Sequence, residues 1–268
     1  LTESAFRGGD VPEPSMSQPV TIGKVGFLST MRRDAWWLEP ALVVFGLGLF
    51  AIYTTISAVL LDSHFEYGPY LSPFYEPLIV VDWWHFSPAI LILWVPLGFR
   101  ATCYYYRGAY YKAFFLNPPA CAVTGSESKG YTGERRFPFT IMNLHRFFFY
   151  LALLFNVFLW IGAVKSFWHE GQFGIGVGSI VLVINAYLLM MYSFSCHSLR
   201  HLIGGRLDCF TCSAAARARH GAWKKVSFWN ESHKKWAWTS LIWVALTDLY
   251  IRLVSWGVIP DVNTWKGI

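Results

Sequence analysis

Residues Gly174–Cys196 read GIGVGSIVLVINAYLLMMYSFSC, a run without a single charge. About 20 apolar residues in a helix match the roughly 30 Å hydrocarbon layer of a bilayer. A helix that is apolar on every side belongs in lipid or deep inside a large core. Four further apolar blocks accompany this one: Pro40–Leu61, Trp83–Tyr106, Phe147–Val164 and Trp236–Ile259. The chain is 54% hydrophobic, 19% aromatic and only 14% charged, well below the roughly 25% charge of soluble domains. The pattern predicts an all-α polytopic membrane protein. Its five transmembrane helices are expected over approximately 40–61, 83–106, 142–165, 174–202 and 236–259, in one membrane domain over 36–268 behind an N-terminal arm over 1–35.

Basic residues set the expected orientation, because cytoplasmic loops retain Lys and Arg. Nineteen of the 22 fall on the arm, between blocks two and three with Arg100 and Arg146 at the borders, or between blocks four and five; Lys165, Arg252 and Lys266 are the rest. The N-terminus and both long loops are therefore expected in the cytoplasm. No cleavable signal peptide is expected before the first block, where the sequence is polar and interrupted by Pro12, Pro14 and Pro19. A basic face of this kind suits anionic lipid or an acidic partner subunit rather than nucleic acid.

The stretch CHSLRHLIGGRLDCFTC, Cys196–Cys212, concentrates three of five cysteines and two of eight histidines. With Gly204 and Gly205 ending the fourth helix, His197 and His201 share one helical face, and Cys209 and Cys212 follow as CxxC. A reducing compartment disfavours a disulfide there and favours a metal pair or redox dithiol. His197, His201, Cys209 and Cys212 are thus metal-ligand candidates, with Cys196 in reserve. Two thiolates with two imidazoles suit zinc or a Rieske-like [2Fe-2S] cluster. The plain alternative is small residues packed in a loop. A haem b is the competing cofactor, with His145 at the depth of His197 and His201. His85, between Trp84 and Phe86, reads as interfacial, and His64, His169, His220 and His233 are placed in loops without a role.

Five helices, a cytoplasmic N-terminus, and HSLRHLIGG with the adjoining GRLDCFTC resemble the membrane-anchor subunit of succinate dehydrogenases, in its five-helix actinobacterial form, over roughly Met31–Ile259. The resemblance implies a chain in a bacterial plasma membrane that does not itself oxidise succinate. It implies a flavoprotein and an iron-sulfur subunit docked on the cytoplasmic face, a quinone site beside them, and room for a further small membrane subunit. Relatives with two haems carry histidines on four helices. Here the first helix has none and the fifth has none within the bilayer, so an inner [2Fe-2S] centre is preferred, with a single haem second.

A quinone headgroup at the inner surface needs hydrogen-bond donors, proton access and an apolar slot for its tail. His145 and Arg146 are the leading candidates, as ionisable groups are seldom set against lipid. Ser29, Arg33, Trp37 and Tyr106 join them, with Arg32, Trp36, Tyr104 and Tyr105 at the same depth. Asp248 and Arg252, four apart on the fifth helix, are either a mutually neutralising ion pair or part of a proton path. The other function classes open to this sequence are a zinc-binding membrane scaffold and a small-solute transporter.

Overall fold

The computed structural model describes residues 26–126, 135–137 and 139–265. Most of the expected N-terminal arm, Lys129 and Lys266 lie outside them. Helix α1, Leu38–Thr54, continues through a π-helical stretch, Thr55–Leu60. It is apolar all round, and Leu42, Phe45 and Ile52 project outward as lipid-facing residues do. Helix α2, Ile90–Ala101, is followed by the short helix α3, Tyr104–Ala109. A 3₁₀ turn, Phe139–Leu144, leads into α4, His145–Lys165. Then come α5, Val177–Phe194; α6, His197–Gly204; α7, Ala214–Glu231; and α8, His233–Ser255. Two small antiparallel hairpins cap the connections, β1 (Glu66–Tyr67) with β2 (Tyr70–Leu71), and β3 (Trp168–His169) with β4 (Gln172–Phe173).

Among the described residues four helices are long and apolar enough to cross a membrane: Leu38–Leu60, Phe139–Lys165, Val177–Phe194 and His233–Ser255. The second apolar block departs from the expected continuous helix over 83–106. Its helix has 12 residues, about 18 Å at 1.5 Å per residue, well short of a bilayer. The fourth helix also ends early, at Phe194 rather than near residue 202. The segment 213–231, expected as a loop, is the helix α7. Ser213 caps its start by accepting from the Ala216 amide at 3.0 Å. Arg219 holds α7 against the end of α6 by donating to the carbonyls of Ile203 (3.1 Å) and Gly205 (2.8 Å). Gly204 lets the two helices approach, since a Cβ there would lie 2.3 Å from Trp223 Cδ1.

The core divides along the bundle. At the end where α2 and α5 finish and α4 and α8 begin, Phe99, Cys103, Tyr106, Phe149, Tyr192, Cys196 and Ala237 pack together. At the other end Tyr70, Ala163, Leu182, Ala186, Ile251 and Trp265 do so. Between α8 and the hairpin after α1, Asp248 and Arg252 form a fully buried ion pair at 2.9 Å. Of the two readings of this pair, mutual neutralisation is the one that the geometry displays.

Candidate redox and quinone site

Both apolar blocks that break early do so at the same kind of dipeptide. Helix α2 gives way at Thr102-Cys103, and α5 at Ser195-Cys196. Cys103 (φ −64°, ψ 133°) and Cys196 (φ −68°, ψ 143°) are extended N-cap residues of the short helices α3 and α6. The change of direction turns each thiol inward, leaving Cys103 2% and Cys196 1% exposed. The preceding hydroxyls back-bond to their own helices, Thr102 Oγ1 to the Gly98 carbonyl (2.7 Å) and Ser195 Oγ to the Tyr192 carbonyl (3.1 Å). Such bonds are available to Ser and Thr near a helix end and help to bend it.

Two histidines, one at the first position of α4 and one at the first position of α8, meet these breaks in a crossed arrangement. His145 Nδ1 lies 3.0 Å from Thr102 Oγ1, and its Nε2 lies 3.2 Å from Cys196 Sγ. His233 Nδ1 lies 2.7 Å from Ser195 Oγ, and its Nε2 lies 3.4 Å from Cys103 Sγ. Each ring is also stacked on an aromatic: His145 on Phe99 with centroids 4.9 Å apart, His233 on Tyr192 at 5.1 Å. Phe99 and Tyr192 touch edge to face at 5.3 Å. Orientation is thus fixed twice, by stacking and by the Nδ1 hydrogen bond, and Nε2 is the nitrogen turned toward sulfur.

Arg100 lies beneath this group. Its guanidinium donates to Tyr106 Oη (3.0 Å), the Ala237 carbonyl (3.1 Å) and Ser240 Oγ (2.9 Å), and sits 4.5 Å from the Tyr192 ring. Burial pushes the Cys196 thiol up to about 12 and the Cys103 thiol upward, with Arg100 opposing the shift at Cys103. Both are therefore thiols at neutral pH, and a metal would have to displace their protons.

All four side chains line one cavity of about 1260 Å³. Trp36, Tyr104 and Tyr105 supply aromatic wall; Asn143, Asn230 and His197 supply polar edge. Arg32, Lys112 and Lys234 stand around it together with Asp34 and Glu39. Two ion pairs tie these charges down, Arg32 with Asp34 and Lys234 with Glu39 at 2.6 Å. The cavity thus joins a buried sulfur and nitrogen donor set to a basic, partly aromatic opening.

The family model of the actinobacterial succinate dehydrogenase subunit SdhC matches residues 38–257. The chain belongs to this family. Its fold also matches a chain of the Mycobacterium smegmatis Sdh1 complex in the apo form, at 38% sequence identity and a TM-score of 0.81, covering 91% of this chain and 97% of that one. No curated protein matches the sequence. As an SdhC-family chain it is a membrane-anchor subunit of succinate dehydrogenase, as the resemblance of its helices and of HSLRHLIGG implied.

Set against this SdhC architecture, the sequence-derived ligand set needs correction. His197 and His201 do share a face, with ring centroids 4.7 Å apart. Cys209 and Cys212, however, are bonded to each other as a disulfide with Cα atoms 5.8 Å apart, so neither sulfur is free to ligate. The CxxC turn that favours a metal pair equally favours this closure. Among the described residues no three His, Cys, Asp or Glu side chains converge on a point where a single metal ion would sit. Cys103, His145, Cys196 and His233 instead make two separate imidazole-thiol pairs. Two sulfur and two nitrogen donors are the ligand set of a mixed Cys and His [2Fe-2S] cluster, in which one iron takes both sulfurs and the other both nitrogens. His233, read from sequence as a loop residue, opens α8 and belongs to this group.

Of the quinone candidates, His145 lines the cavity. Tyr106 is buried beneath it, its hydroxyl donating to the Ala237 carbonyl at 3.1 Å. Arg146 is exposed and leans over the Phe147 ring at 5.9 Å. Ser29, Arg33 and Trp37 are exposed and stand outside the cavity, whereas their neighbours Arg32 and Trp36 line it.

Proposed function

We propose that this SdhC-family chain passes electrons to quinone at the cavity formed by α1, α3 and the N-terminal ends of α4 and α8. Cys103, His145, Cys196 and His233, which line that cavity, would hold a [2Fe-2S] cluster. The observation that carries the reading is the crossed pairing, with Nε2 to Sγ distances of 3.2 and 3.4 Å at the edge of one large cavity. Thr102 and Ser195 hold the outer imidazole nitrogens, as second-sphere groups do for metal-ligating histidines. When bound, such a cluster takes up and releases single electrons at a potential above that of an all-cysteine cluster, because neutral imidazoles leave less negative charge on its core.

The chain's other residues serve the quinone. Trp36, Tyr104 and Tyr105 offer flat apolar surface to the ring, and Arg32, Asn143 and His197 offer donors to its oxygens. The basic segments Arg107–Arg136 and Arg200–Lys235 face the cytoplasm and dock the iron-sulfur subunit, which the flavoprotein joins. Succinate itself is oxidised on the flavoprotein.

Activity of the purified complex tests this reading. His233→Ala is expected to reduce quinone reduction at least a hundredfold while succinate oxidation by a soluble artificial acceptor stays within twofold of wild type. Equal loss of both activities would overturn it, since that is the mark of failed assembly. Stoichiometric b haem with no iron beyond that of the partner subunits would promote the single-haem reading.

A further inference from the structure

Arg100, next to last in α2, enters the basic-end core without an anion to meet it. Among the described residues no carboxylate pairs with it, whereas Arg32, Lys234 and Arg252 each have one. Neutral acceptors on α3 and α8 hold its guanidinium instead: Tyr106 Oη, the Ala237 carbonyl and Ser240 Oγ. All three of these residues are buried. A free cation at a helix end would swing toward water; three hydrogen bonds keep this one inside. The Tyr192 ring, 4.5 Å from the guanidinium, is itself stacked on His233, whose Nε2 faces Cys103 Sγ at 3.4 Å. The cation is thus one ring contact removed from one half of the donor set. Its charge is felt at Cys103, where it opposes the upward push of burial on the thiol. Arg100 does not line the large cavity, so a quinone there does not account for it.

We propose that Arg100 is a positioning residue that raises the reduction potential of the [2Fe-2S] group assigned to Cys103, His145, Cys196 and His233, through a positive charge fixed beside it. The proposal rests on that reading of the four donors and names a residue outside them. Its argument is a count of charge. Two ferric ions, two sulfides and two thiolates are neutral together, and neutral imidazoles leave that unchanged. One electron, received from the iron-sulfur subunit and passed on to quinone, makes the group an anion for as long as it stays. A neighbouring cation does little for the neutral state and stabilises the anionic one, so it shifts the equilibrium toward electron uptake. Water and salt would screen such a charge at the surface, but inside a bundle they screen it much less. Replacement of two thiolates by imidazoles raises the potential in the same direction, and the fixed cation adds to it.

Potentiometric titration of the intact complex, followed by the electron paramagnetic resonance signal of the reduced group, tests the proposal. Arg100→Gln removes the charge, and Ser240→Asp neutralises it in place. Each is expected to lower the equilibrium constant for one-electron reduction about tenfold or more, a fall of at least about 59 mV in midpoint potential, with iron content unchanged. Arg100→Lys keeps the charge and is expected to stay within about threefold of wild type. Where one of the two charge-cancelling variants fails to assemble, the other decides. A wild-type potential in these variants, or a shift in Arg100→Lys as large as that in Arg100→Gln, would overturn the proposal and leave the cluster reading intact. Loss of the signal from both charge-cancelling variants would make Arg100 an assembly residue and overturn it too. A wild-type complex without the signal would overturn the proposal together with the reading on which it rests.

Discussion

Helix α8 carries two buried polar clusters, one beginning at His233 and one centred on Asp248 about 22 Å along its axis, and they follow opposite plans. Asp248 and Arg252 are saturated. Tyr53 donates to Asp248 Oδ2 at 2.6 Å and Ser72 to Oδ1, while Arg252 donates to Asp248 at 2.9 Å, to the Ser57 carbonyl at 2.6 Å and to the Ser63 carbonyl. Both carboxylate oxygens and all three guanidinium nitrogens of the pair are hydrogen-bonded inside the protein. The four donors at the other end are held in place from behind, by Thr102, Ser195, Phe99, Tyr192 and the Ser198 amide, which donates to Cys196 Sγ at 3.4 Å, while each Nε2 faces a sulfur at a cavity wall. A cluster closed on itself ties helices together; a cluster fixed on one side and open on the other is built to hold something.

The largest effect expected from breaking this comparison is at the closed cluster. Asp248→Ala strands the Arg252 cation in the bundle and is expected to cost about 3–5 kcal/mol, the usual result of removing one partner of a buried pair. Thermal unfolding of the purified complex should show it. Asp248→Leu combined with Arg252→Met should recover most of the loss, because apolar isosteres leave no charge uncompensated. A double variant as unstable as the single one would assign the pair a role beyond stability.

A smaller effect sharpens the open end. Thr102→Val and Ser195→Ala remove the hydroxyls that orient His145 and His233 without touching a proposed ligand. Losing such second-sphere bonds typically lowers metal affinity about 10–100-fold. Iron retention during titration with a chelator should fall by that factor in each variant, with thermal stability nearly unchanged. Unaltered iron retention in both would show that aromatic stacking alone positions the rings.

Much of the architecture was legible in the apolar blocks, because about 20 lipid-soluble residues admit few other readings. The SdhC family was legible too, from HSLRHLIGG and its surroundings. The donor set was not. CxxC and HxxxH draw the eye because their members are near in sequence, whereas the pairs that form here are 51 and 130 residues apart. Cys103 was hidden inside a tyrosine-rich apolar block, and His233 stood beside Lys234 and Lys235 in what looked like a solvated charge run. The usable signal was the repeat of hydroxyl-then-cysteine, Thr102-Cys103 and Ser195-Cys196, where two apolar blocks run out. Tertiary crossing, which periodicity does not encode, brings those two breaks together.

The central claim is that the open cluster, not the CxxC loop, holds iron. Electron paramagnetic resonance of the dithionite-reduced complex, read beside iron and acid-labile sulfide content, tests it most directly. Cys103→Ser and Cys196→Ser should each remove two irons and two sulfides per complex. They should also erase a signal whose average g value lies below that of all-cysteine clusters. Cys209→Ser and Cys212→Ser should leave both measures as in wild type. Loss of the signal in the Cys209 and Cys212 variants with retention in the other two would contradict the account.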